Sequence, residues 1–169
     1  LIELTEEPFD SPVAEALVEA MAAEVVLRYA AETAQLTERE RTADEAAYRS
    51  EVRPETVARP QGAFLVAWSD GRPVGCGALR PLEGAPGVGE IKRMYTDPAV
   101  RGTGISRLVL ARLEAVAAEL GYTRLQLETG TRQPEAIALY ASSGWAPIEC
   151  YGYYRYAPTS RCFAKDLTS

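Results

Sequence analysis

Histidine is absent from all 169 residues. That removes Ser-His-Asp and Cys-His nucleophile pairs and the commonest zinc ligand. Acid–base chemistry is left to carboxylates, tyrosine, lysine, cysteine or water. Long apolar runs are missing as well. None approaches the roughly 20 residues of a membrane span, so no membrane partner is expected. The start, "LIELTEEPFD", is acidic and has no basic n-region, and no signal peptide is expected. Cysteine is scarce: Cys76, Cys150 and Cys162 are odd in number and lack metal-ligand spacing. The expectation is free, mostly buried thiols in a reducing cytoplasm, and no metal. A net charge of -6 at pH 7 argues against a nucleic-acid partner.

What is present is a globular composition, 47% hydrophobic and 25% charged, in a length that suits one domain. The charge is uneven. In residues 1–50 twelve acidic residues stand against four arginines, whereas residues 92–112 carry Lys92, Arg93, Arg101, Arg107 and Arg112 against Asp97 alone. An acidic chain with one basic stretch suits a protein that meets an anion in one place.

Periodicity gives the elements. "LIEL" reads as a first strand, and Ser11-Pro12 as the start of a helix carrying Leu17, Met21, Val25 and Tyr29. "LTERERTADEAAYRSEV" reads as one or two short helices or a mobile loop. Asp70-Gly71 between two β-like runs marks a hairpin, and "GVGEIKRMYTD" a third strand. A helix follows from Gly104 to Gly121, with Ile105, Leu108, Val109, Leu113, Val116, Ala117 and Leu120 on its apolar face. "TRLQLET" is a strand, "QPEAIALYASSGW" a short helix, and the chain closes with two strands near residues 145–150 and 160–165. This order predicts an α/β fold with a mixed sheet and helices on both faces.

Within "MYTDPAVRGTGIS", Gly102 and Gly104 stand between a strand and a helix start. Unpaired amides and the positive end of the helix dipole make that junction a phosphate site, and glycine lets the backbone approach. A P-loop would need Gly-Lys-Ser/Thr, but Ile105-Ser106 follow Gly104. A dinucleotide fingerprint would need glycine where Arg107 stands.

"RGTGIS" resembles the acetyl-CoA loop of the GCN5-related N-acetyltransferases, Arg/Gln-x-x-Gly-x-Gly/Ala. Arg101 and Gly104 match, and Ser106 replaces Gly or Ala. "QPEAIALYASSGW" resembles the family's second signature, with Ala136 and Tyr140 matching, Gln133 in place of Asn and Trp145 in place of Phe. The resemblance covers residues 62–167. It implies a single N-acetyltransferase domain over residues 1–169 with a mixed, mainly antiparallel sheet. Residues 1–60 would form the acceptor side, and residues 61–169 the acetyl-CoA-binding core.

The implied reaction is direct acetyl transfer from acetyl-CoA to an amine. The family pattern implies that the backbone of Met94, Tyr95 and Thr96 pairs with the pantetheine arm. Residues Arg101, Gly102, Thr103, Gly104, Ile105, Ser106 and Arg107 would cradle the pyrophosphate, with Gln133 and Tyr140 also at the cofactor. Glu90 is the first candidate base, Glu128 the second, and Tyr140 the acid that protonates the leaving thiolate. The acidic N-terminal part would suit a cationic small-molecule amine, such as a polyamine, a basic amino acid or an aminoglycoside. The tyrosines of "ECYGYYRYAPTS" could wall the acceptor site, or serve core or homodimer packing. A non-catalytic acyl-CoA sensor on the same fold is the rival reading.

Overall fold

The computed structural model describes residues 1–168. Seven strands form one sheet in the order β1-β2-β3-β4-β5-β7-β6. They are β1 (Ile2–Glu6), β2 (Ala63–Ser69), β3 (Arg72–Pro81), β4 (Val88–Thr96), β5 (Arg124–Gly130), β6 (Ala146–Ile148) and β7 (Ser160–Asp166). Only β4 and β5 run parallel; every other neighbouring pair is antiparallel. The helices are α1 (Pro12–Arg28), α2 (Ala30–Thr33), α3 (Glu38–Glu51), α4 (Ile105–Glu119) and α5 (Pro134–Ser142).

Local chemistry sets the boundaries. Ser11 caps α1 by accepting from the Ala14 amide at 3.3 Å, with Pro12 in the first turn. Asp70 and Gly71 both adopt positive φ, 49° and 76°, as a two-residue hairpin turn requires. The stretch left open between helices and a loop is one helix, α3. Its start is a reciprocal cap: the Glu40 amide donates to Thr37 Oγ1 at 3.2 Å, and the Thr37 amide donates to the Glu40 carboxylate at 2.7 Å. Gly121 ends α4, as the Tyr122 amide reaches the Ala117 carbonyl and the Gly121 amide that of Ala118.

The sheet is packed on both faces. Under α4 and α5 lie Leu79, Ile91, Leu125 and Leu127 with Val109, Leu113 and Val116. Under α1 lie Phe64, Val66, Cys76 and Ala78. The apolar face read for α4 needs one correction: Leu108 is 48% exposed, and Leu110 is buried instead. At about 100° per residue, Leu110 falls on the flank of the buried arc and Leu108 outside it.

The cysteine expectation is corrected too. Cys150 and Cys162 form a disulfide with Cα atoms 5.1 Å apart, and Cys76 alone is free and buried. Antiparallel pairing of Ile148 with Cys162 brings Cys150, just past β6, beside its partner. A spacing of 12 residues carries no such information by itself. No helix among the described residues is long and apolar enough to cross a membrane.

Gly77 of β3 faces α4. A Cβ there would meet Met94 Sδ at 2.6 Å, Leu113 Cδ1 at 2.8 Å and Val109 Cγ1 at 2.9 Å. Gly77→Ala is expected to destabilise the fold by about 1–3 kcal/mol through overpacking. A denaturant midpoint unchanged from wild type would contradict this packing.

Candidate active site

Strands β4 and β5 are paired over only three positions, Val88–Glu90 against Arg124–Gln126. Beyond Glu90 the two strands part, and the edge of β4 facing β5 has no strand partner. Met94, Tyr95 and Thr96 from that stretch line a cleft. Its other walls are the second half of α1, the loop before α4 and one face of α5.

The loop is shaped by its own polar groups. Asp97 accepts from the Ala99 amide at 2.9 Å, and Thr103 Oγ1 donates to the Val100 carbonyl at 2.7 Å. Gly102 and Gly104 have φ of 79° and 88°, and a Cβ at either would meet nothing within 4 Å. The glycines are thus demanded by backbone angle, and the space above them is open. Gly104 caps α4 without any side-chain hydrogen bond, and the first turn of α4 holds no acidic residue. The orphan amides and the positive dipole end of a fifteen-residue helix therefore face the cleft unneutralised.

The cleft gathers Met94, Tyr95, Thr96, Arg101, Gly102, Gly104, Ile105, Ser106, Gln133 and Tyr140. Thr103 and Arg107 do not line it. Thr103 serves the turn, and Arg107 donates to Ser142 Oγ at 2.7 Å, tying α4 to α5. Tyr140 packs its ring near Trp145 and Phe163, with centroids 5.9 and 6.0 Å away. Burial raises its hydroxyl pKa above the usual value.

Sequence reasoning missed the contribution of α1. Glu24 of α1 accepts from Arg101 at 2.6 Å and from Arg28, and Arg28 also meets Glu135 of α5. The Arg101 hydrogen bond holds Glu24 below the usual carboxylate range, against partial burial. The Glu24/Arg28 spacing of four was visible in the sequence, but such pairs usually sit on solvent faces.

The two candidate bases lie in different settings. Glu90 is 2% exposed and fully engaged. One oxygen accepts from Arg80 Nε and Nη2 at 2.9 and 2.7 Å; the other accepts from the Tyr151 hydroxyl at 2.7 Å. Glu128 lies on β5 two residues past the last pair with β4, where the strands have parted. Burial lifts its pKa to about 7, opposed by Lys92 and assisted by the negative charges of Glu51 and Glu90. Cys76 is no competitor as a nucleophile, because burial pushes its thiol up to about 12.

Residues 28–145 match the Acetyltransferase (GNAT) family. The chain belongs to the GNAT acetyltransferase family. An IAA acetyltransferase of Azospirillum brasilense is 42% identical over 113 residues, which are 67% of this chain and 73% of that protein. The uncharacterized N-acetyltransferase YjgM of Escherichia coli is 34% identical over 56% of this chain and 58% of its own length. A crystal structure from Klebsiella pneumoniae, described as an acyl-CoA N-acyltransferase, superposes with a TM-score of 0.75 at 31% identity, covering 99% of both chains. PaiA N-acetyltransferase of Thermoplasma acidophilum, solved with coenzyme A, has the same fold at a TM-score of 0.70 and 18% identity, over 98% of this chain and 99% of that one. This GNAT chain is thus an acetyltransferase enzyme. Its mixed, mainly antiparallel sheet with helices on both faces matches the expected fold.

In this GNAT enzyme the Glu128 setting has a pH signature. Its folded pKa, about 7, lies above the ordinary 4.5. The native state therefore keeps a proton that the unfolded chain sheds, and stability falls as pH rises from 4.5 through about 7. Glu128→Gln should remove that loss, so its stability advantage over wild type grows across this window in denaturant titrations. Parallel stability profiles would contradict the raised value.

Proposed function

We propose that the cleft binds acetyl-CoA and that the enzyme transfers the acetyl group directly to a primary amine of a small molecule or protein. The single observation that carries this reading is the uncapped, acid-free N-terminus of α4 opening beside the unpaired edge of β4. One end of the cleft offers amides to phosphates. The other offers strand edge to an extended arm with amide groups of its own. Both ends fit the chemistry of coenzyme A, whose thioester supplies the activated acetyl group when bound.

The residues then divide the work. Amides from Gly102 to Ser106 face the pyrophosphate, and Arg101 adds a charge-assisted partner once Glu24 yields it. Those backbone groups of Met94 to Thr96 that point away from β3 face the pantetheine and the acyl oxygen. One such donor is worth roughly 10²–10³ in rate where charge develops. Glu128 is the better base: burial lifts its pKa to about 7, which suits accepting a proton at neutral pH, whereas both Glu90 oxygens are occupied. Neither carboxylate is among the residues lining the cleft itself. In that arrangement Glu90 holds Arg80 and Tyr151 together through its two oxygens. Tyr140 keeps its proton through burial and delivers it to the departing thiolate.

The acceptor side falls to residues 1–60 and the tyrosine loop. Tyr153 of that loop donates to Asp44 of α3 at 2.9 Å, closing one wall. Two acids of the N-terminal half, Glu24 and Glu51, are already paired with internal cations. A preference for cationic amines therefore rests on the exposed Glu38 of α3, since Glu45 is paired with Arg49 and Asp44 with Tyr153.

Isothermal titration with acetyl-CoA tests the cofactor. Wild type should bind at micromolar affinity, and Gly104→Asp, which places a carboxylate over the loop, should bind at least about tenfold more weakly, or 1.4 kcal/mol. Equal affinity in a folded Gly104→Asp variant would remove the phosphate cradle from the account.

A further inference from the structure

Two consecutive residues of β4, Lys92 and Arg93, send their side chains to the same partner, Glu51 of α3. Neighbours in a regular strand point to opposite faces. The register gives the reason: Ala78 pairs with Lys92 and Cys76 with Tyr95, leaving Arg93 and Met94 together opposite Gly77. This is a β-bulge, and Arg93 is its left-handed residue, at φ 56°. The only other non-glycine residue at positive φ among the described residues is Asp70, in the hairpin turn.

Glycine normally takes that bulge position. Arginine is strained there and persists only where its surroundings hold it. Here they do so from several sides. Nη2 of Arg93 donates to the Tyr48 carbonyl at 2.7 Å, and Nη1 to the Glu51 carboxylate at 3.3 Å. The guanidinium lies 3.7 Å from the centre of the Tyr48 ring, and the Cys76 thiol donates to the Arg93 carbonyl at 3.3 Å. The side chain is 5% exposed.

The bulge changes the phase of everything after it. Without the extra residue, Met94 would fall on the α3 face. With it, Met94 packs beside Gly77 under α4 and Tyr95 joins the cluster under α1. The same shift decides which backbone groups of residues 94–96 meet the cleft, since one extra residue turns a strand over. We propose that Arg93 is a positioning residue: clamped by Tyr48 and Glu51, it holds the left-handed turn that aims the β4 backbone at the acyl oxygen. This rests on the reading that acetyl-CoA occupies the cleft. The clamp comes from α3, so a helix on the acceptor side sets the geometry of the acyl-binding strand.

A merely structural Arg93 would only anchor α3 to the sheet. Arg93→Ala and Arg93→Gly lose that anchor equally, but glycine adopts the left-handed angle without strain and alanine does not. The readout is the infrared carbonyl band of acetyl-CoA labelled with ¹³C at the thioester carbon, with binding of each variant checked by calorimetry. A hydrogen bond to the acyl oxygen lowers that frequency. The band should be shifted furthest in wild type, less in Arg93→Gly, and least in Arg93→Ala, near its value in free acetyl-CoA. An Arg93→Ala band as shifted as wild type, or Arg93→Gly no better than Arg93→Ala, overturns the proposal.

Should Arg93→Ala not fold, Glu51→Gln decides, with a partial loss of shift expected and an unmoved band fatal. Wild type that binds without any shift sinks the polarised-carbonyl reading and this proposal with it. Wild type that does not bind acetyl-CoA sinks the proposed function itself.

Discussion

Parallel pairing between β4 and β5 ends after three positions, and the candidate active site exists because it ends there. A sheet that stayed paired would satisfy its backbone internally and offer a ligand nothing. Once β4 leaves β5, the edge of Met94 to Thr96 turned away from β3 has no strand partner, and the α4 N-terminus lines the same opening. The fold thus supplies two kinds of unspent amide along one line: strand edge and helix start. That combination favours an extended ligand with a phosphate end, and the family membership of the chain agrees with it.

Charge plays a second, quieter part. Acidic side chains of the N-terminal half do not simply face water. Glu24 reaches Arg101 in the glycine loop, and Glu51 reaches Lys92 and Arg93 on β4. Burial works against ionising Glu51, but Lys92, Arg93 and Arg80 outweigh it and hold its pKa below the usual range. Buried pairs of this kind contribute little net stability, because desolvation offsets attraction. Their consequence here is geometric: α1 and α3 are registered against the two stretches of chain that shape the cleft.

Much of this could be read in the sequence wherever the signal was local. Asp70-Gly71 fixed a hairpin, Gly104 and Gly121 bracketed α4, and Thr37 with Glu40 spelled a reciprocal helix cap that would have resolved α3 from a loop. The glycine loop before α4 was legible for the same reason, since strand, glycines and helix start lie within a few residues. What was not legible came from distance. Nothing near Arg93 marks a bulge, because its left-handed angle is held by Tyr48 and Glu51 over forty residues away in sequence. The Cys150–Cys162 bond depends on β6 meeting β7. The contrast between Glu90 and Glu128 depends on where Arg80 and Tyr151 arrive.

The central claim is that one ligand spans the helix start and the free strand edge. The most direct measurement is an amide NMR titration of ¹⁵N-labelled protein with coenzyme A. The largest shift changes are expected at two separated places at once, residues 94–96 and residues 102–106, saturating together. Changes confined to one of the two, or centred on another part of the chain, would contradict it.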